Sequence, residues 1–159
     1  KAIVLHAGYS DKKFKGDKDL WLAQSLKTWP LFVEMARSIN TVIAVENIFE
    51  KTPDTLKSLV EAVDSPNLRI CIDTGHLNIY SQTTMEEWLS QLGPYLGEVH
   101  LHDNSGKNDE HLPVGMGTVD FRLFFNLLKK YANEPVYTIE PHGDSVVKAG
   151  LTAARRFVG

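Results

Sequence analysis

An α/β fold built on a parallel sheet is what this sequence predicts, and three observations predict it. Short apolar runs alternate with amphipathic, helix-period stretches five times, an alternation that demands right-handed crossovers between parallel strands. The runs are continuously apolar, as strands covered on both faces are. Each run also ends in an acid or a histidine, and ligands of such sheets sit at the carboxyl ends of the strands.

Taken in order, residues 2–6 (AIVLH) read as a buried strand ending in His6. The 9–18 loop carries Lys12, Lys13, Lys15 and Lys18, a solvated loop with a phosphate contact as the alternative. Residues 19–39 have helical periodicity through Leu20, Leu22, Leu26, Phe32, Val33, Ala36 and Ile39, and Pro30 should kink or split that helix. The run TVIAVE (41–46) is the second strand, ending in Glu46. Thr52 is the expected N-cap and Pro53 the first residue of a helix to about Val63. A Ser65-Pro66-Asn67 turn leads to the strand LRICID (68–73), ending in Asp73, with His76 in the loop beyond. A helix over 84–92 stops near Gly93-Pro94, and the strand 98–102 ends in His102. A helix over 120–131, a strand PVYTIE (135–140) ending in Glu140, the pair Pro141-His142 and a helix over 144–157 complete the pattern.

The stretch VHLHDNSGKNDEHLPVGMG (99–117) holds three histidines and two aspartates at the end of an apolar strand, a metal-ligand composition. His100 and His102 are two apart and share a face. A cluster of carboxylates in one buried mouth would repel, and a divalent cation removes that penalty. The mix of carboxylate oxygen and imidazole nitrogen suits Zn²⁺, Mn²⁺ or Co²⁺, with Mg²⁺ as a further candidate. Cys71, two before Asp73, reads as a core thiol one layer deeper, and His100 as core or a supporting group behind His102.

Composition bounds the rest. The 159 residues, 43% hydrophobic and 23% charged, suffice for one core, read as a single partial-barrel domain over 1–159. A net charge of −3 gives no global basic field, which disfavours nucleic acid as partner. The lone Cys71 allows no internal disulfide and fits a reducing, cytoplasmic compartment, and no apolar run reaches transmembrane length. The chain opens at Lys1 directly into an apolar strand, which reads as a chain without its N-terminal part.

With these residues laid out, the chain resembles the xylose isomerase-like superfamily of (β/α)8 barrels, which includes sugar isomerases and epimerases as well as the endonuclease IV family of apurinic-site nucleases. The matching pieces are VLHAG (4–8), AVEN (44–47), CIDTGH (71–76), VHLHDN (99–104), DEHLPVGMG (109–117) and TIEP (138–141). The resemblance implies a TIM-barrel type α/β fold of five C-terminal βα units, resembling strands four to eight of an incomplete barrel. A full barrel takes about 250 residues, so about 90 are expected to be missing. They would come from a lost N-terminal segment or a second chain. The resemblance further implies a metal bound by Glu46, Asp73, His102 and Glu140. His6, His76, Asp109 and His111 match additional ligands of the trinuclear nucleases, whose further histidine from a preceding strand has no counterpart here.

The implied activity is isomerisation or epimerisation of a small sugar or sugar phosphate, by proton transfer through a metal-stabilised enediolate. Glu46 and Glu140 would be the proton carriers, His76 a supporting group, and His6, His76 and His142 substrate contacts. The alternatives are an endonuclease IV-like phosphodiesterase and a fragment that keeps its ligands without a complete site.

Overall fold

The computed structural model describes residues 2–142 and 144–158. Among them, strands β1 (Ala2–His6), β2 (Val42–Glu46), β3 (Leu68–Asp73), β4 (Leu96–Leu101) and β5 (Val136–Ile139) form one parallel sheet in sequence order. Each crossover therefore advances by one strand in the same sense, and the sheet curls into a half-barrel, an incomplete TIM barrel. The helices are α1 (Asp11–Phe14), α2 (Lys18–Ser25), α3 (Trp29–Ser38), α4 (Asp54–Val63), α5 (Thr74–Tyr80), α6 (Met85–Leu92), α7 (Phe121–Tyr131) and α8 (Asp144–Val158).

The core lies between sheet and helices. Trp21, Leu56, Leu59, Trp88, Leu89, Leu92 and Phe124 from the helices join Ile70, Ile72, Val99 and Leu101 from the strands in one buried cluster. The two tryptophans keep their indole N–H groups satisfied, Trp21 donating to the Ala7 carbonyl at 3.2 Å and Trp88 to the Ser81 hydroxyl at 2.8 Å. Side-chain caps fix four helix starts: Asp17 for α2, Asp73 for α5, Thr84 for α6 and Asp120 for α7.

Register sets the inner face. His6 is level with Glu46, Glu46 with Cys71, and Cys71 with Glu98. One step higher, Asp73 is level with His100 and His100 with Thr138. This rise across the strands is the stagger of a barrel. A register shift at Gly97 pairs Leu96 with Ile70 but Glu98 with Cys71, which turns Glu98 and His100 inward. A Cβ on Gly97 would stand 2.8 Å from that of Arg69, so the bulge is where two backbones approach closely.

Several expectations are corrected. β1 is mostly exposed, with Ile3 at 49%, because it pairs only with β2 among the described residues. The 19–39 segment is split into two helices as expected, but the break precedes Pro30; the proline sits in the first turn of α3, where its missing N–H costs nothing. α4 begins at Asp54 with Pro53 as its cap, while the Thr52 hydroxyl donates to the Asp54 carboxylate at 3.0 Å. His76 lies in a helix, α5, because Asp73 caps it by accepting from the His76 N–H at 2.7 Å. β4 begins two residues earlier than expected and ends one earlier, at Leu101, and β5 ends at Ile139, so His102 and Glu140 are the first residues past their strands.

Candidate metal centre

The inner face ends in a group of four. One ligand atom each from Glu46, Asp73, His100 and Glu140 lie within 4.8 Å of one another. His100 Nδ1 is 2.6 Å from Glu46 Oε1, 3.3 Å from Glu140 Oε2 and 4.0 Å from Asp73 Oδ2. Yet Glu46 Oε1, His100 Nδ1 and Glu140 Oε2 are all buried without a properly directed hydrogen bond. Atoms this close that do not satisfy one another aim their lone pairs at shared space. An unpaired buried polar atom is costly, and a divalent cation would satisfy all three at once. The donor set, three carboxylates and one imidazole with no thiolate, fits such an ion.

A second layer sits toward the opening. The Asp73 oxygens are each 2.9 Å from His102 Nε2, and His76 Nδ1 is 3.0 Å from the Asn47 carbonyl. Asp109 Oδ2 lies 3.4 Å from His76 Nε2 and 3.2 Å from His111 Nε2. The imidazoles of His102, His111 and His142 stack in series, with ring centroids 3.8 and 3.6 Å apart. Gly75 must be glycine for this layer to form, since a Cβ there would overlap the His102 ring.

Backbone carpentry holds the two layers. Asn47 donates to the Asp73 carbonyl and accepts from the Asp73 N–H, tying the ends of β2 and β3. The Thr74 hydroxyl donates to the His102 carbonyl at 2.8 Å, tying β3 to β4. Asp103, fully buried, accepts from the N–H groups of Asn104, Gly115, Gly117 and Val119 at 2.8–3.1 Å. It folds the 109–119 loop back over the mouth and so delivers Asp109 and His111. Gly115 adopts φ +81°, and a Cβ on Gly117 would strike the Asn104 carbonyl, which is the physical reason for the G-x-G spacing.

Electrostatics follow the geometry. Burial works against charge on His100, but Cys71, Glu140 and Glu46 around it outweigh burial and hold the imidazole well above its usual range. Glu140 is pulled down to about 2, chiefly by the His100 imidazole beside it. His102 is also raised, burial being overcome by Asp73. Burial pushes the Cys71 thiol up to about 12, so it is a neutral core group.

The structure gathers Glu46, Asp73 and Glu140 as the sequence expects, but the histidine whose ring nitrogen lies among them is His100. His102 stands one layer out, against Asp73. His6 reaches Glu46 Oε2 at 3.2 Å from the exposed edge strand. His76, Asp109 and His111 meet in the outer layer, and His142 covers His111. Asp103, counted in the sequence among possible metal ligands, instead serves the loop, and Asn47, which ended the AVEN piece, ties two strands; an acid a dozen residues before a G-x-G loop was the available signal for the first.

The comparisons accord with this architecture. A family model described as xylose isomerase-like TIM barrel matches residues 1–157. The chain belongs to that family. Among relatives of this TIM-barrel family, an uncharacterized protein of Methanocaldococcus jannaschii is 31% identical over 147 residues, covering 88% of this chain and 50% of the relative. A probable endonuclease 4 of Mesomycoplasma hyopneumoniae is 26% identical over 166 residues, covering 91% and 58%. The solved structure of a D-tagatose 3-epimerase-like protein superimposes with a TM-score of 0.85 at 27% identity, covering 99% of this chain and 62% of that one. The chain thus spans about half the length of the curated family members it matches. Among the described residues, no helix is long and apolar enough to cross a membrane.

Proposed function

We propose that this chain carries the metal-binding half of a divalent-metal-dependent sugar isomerase or epimerase. The observation that supports it is the convergence of buried, unpaired Glu46 Oε1, His100 Nδ1 and Glu140 Oε2 beside Asp73. These four residues, with His100 in the place expected of His102, would hold the ion. When bound, a divalent cation supplies Lewis-acid polarisation of a substrate carbonyl. Glu140 faces the opening, its side chain 41% exposed, within reach of a bound substrate. It takes the proton from the carbon beside the carbonyl. Glu46, held by His6 and His100, relays a proton from solvent back to the substrate, and Glu140 releases to solvent the proton it took, so both carboxylates are restored. His76, His6 and His142 line the approach for substrate oxygens. The epimerase-like structural relative supports a ketose as substrate.

Glu140→Gln tests this. With a panel of ketohexoses including D-tagatose, exchange of the substrate C–H with deuterated solvent is expected to vanish while sugar binding persists. Undiminished exchange would refute the role. A second reading, phosphodiester cleavage at abasic sites, is favoured by the outer grouping of His76, Asp109 and His111 and by the endonuclease 4 relatives. Metal content separates the two: one ion per site supports sugar chemistry, and three with incision of an abasic oligonucleotide support the nuclease. Either activity would belong to a completed barrel, with a further polypeptide segment pairing against the edges of β1 and β5 that are open among the described residues. A chain that holds its ligands but stays inactive without that segment is the third outcome.

A further inference from the structure

Glu98 is a buried carboxyl group on the inner face that the proposed chemistry leaves unused. It is level with Cys71, one step below His100 on β4, and its side chain is 10% exposed. Its Oε1 accepts a hydrogen bond from the Thr138 hydroxyl at 2.6 Å, which anchors it to β5. The same oxygen is 3.6 Å from His100 Nε2, an ion-pair separation just longer than a hydrogen bond, which a small turn of the ring would close. The opposite ring nitrogen, Nδ1, is the one directed at Glu46, Asp73 and Glu140. His100 therefore stands between three carboxylates above and a fourth, separately anchored, below.

A metal-bound imidazole needs its second nitrogen protonated and held, and a carboxylate is the common partner; it fixes tautomer and ring orientation and makes the ligand nitrogen more basic. We infer that Glu98, fixed by Thr138, is the positioning residue that keeps the proton on His100 Nε2 and leaves Nδ1 as the metal donor. The inference rests on the metal reading above and adds a layer to it. Glu98 reaches this place only through the bulge at Gly97, which turns both Glu98 and His100 inward. The Cys71 thiol also lies beside the His100 ring. It is neutral and a weak acceptor, so the carboxylate is the stronger partner for the N–H.

Zinc affinity of the full chain, measured by competition with a chromophoric chelator, tests this, with ¹⁵N NMR of the imidazoles in the loaded protein. Glu98→Gln keeps the shape and an acceptor for Thr138 but removes the charge. It is expected to weaken zinc binding about 10- to 100-fold while the unfolding curve of the chelator-treated protein stays in place. Thr138→Val, which frees Glu98 without touching the site, is expected to weaken it in the same direction by a smaller factor. It keeps the inference testable if the Gln variant does not fold. Cys71→Ala should bind as the unaltered chain does. In the unaltered chain the His100 signals should report metal on Nδ1 and hydrogen on Nε2. Affinity within twofold of the unaltered chain for both Glu98→Gln and Thr138→Val would overturn the role of Glu98. So would a loss confined to Cys71→Ala, or metal on Nε2. Failure of the unaltered chain to take up zinc at all would instead overturn the metal reading itself.

Discussion

At the scale of single residues, the centre turns on which histidine is level with the carboxylates. His100→Ala removes one of four convergent donors, so zinc uptake at the central group should be lost. His102→Ala removes a partner of Asp73 and should leave a weakened site, both read by elemental analysis after dialysis. The same histidine makes the metal-free protein sensitive to pH. His100 is raised from 6.5, so its contribution is full below that value and declines as pH rises toward its folded-state pKa. Glu140 is lowered from 4.5 to about 2, so its contribution is full above 4.5 and is lost as pH falls through about 2. Both act fully only between about 4.5 and 6.5. Urea midpoints of chelator-treated protein should therefore peak in that window. Added zinc should shift the peak upward, because metal replaces the proton on His100.

At the scale of elements, two devices shape the mouth. The 109–119 loop hangs on Asp103, and hydrogen bonds to a charged acceptor are worth about 1.5–3 kcal/mol each. Asp103→Ala should release the amides of Gly115, Gly117 and Val119 to rapid hydrogen exchange and reduce binding at the outer layer while the sheet stays protected. The helices depend on their buried faces and caps. Trp88 is fully buried in α6, and its replacement by Ala should cost about 3–5 kcal/mol. Asp120→Ala, which removes the cap of α7, should cost about 1 kcal/mol. Urea denaturation separates these two magnitudes.

At the scale of the whole molecule, both sides of the sheet are open among the described residues. β1 pairs only with β2 and β5 only with β4. Apolar side chains flank each edge: Ile3, Phe32 and Met35 on one side, Val136, Val147 and Leu151 on the other. Unpaired strand edges with exposed apolar surface template association. Light scattering of the 159-residue chain should show concentration-dependent self-association, and Ile3→Lys with Val136→Lys should reduce it. A monodisperse monomer at all concentrations would contradict this account of the edges.

What the sequence determined by itself was local and periodic: the five strand–helix units, the inward carboxylates Glu46, Asp73 and Glu140 at or just past strand ends, and the helices over 84–92 and 120–131. Each rests on side-chain pattern over a few residues, so it needs no knowledge of neighbours. Tertiary structure alone decided the rest. Barrel stagger and the Gly97 bulge set which residue of β4 is level with Asp73, and so placed His100 rather than His102 in that position, two residues that pattern cannot distinguish because they share a face. The capping of α5 by Asp73, the four amides gathered by Asp103 and the exposure of β1 depend on partners far along the chain or on an uncovered edge. A strand's own residues carry no record of either.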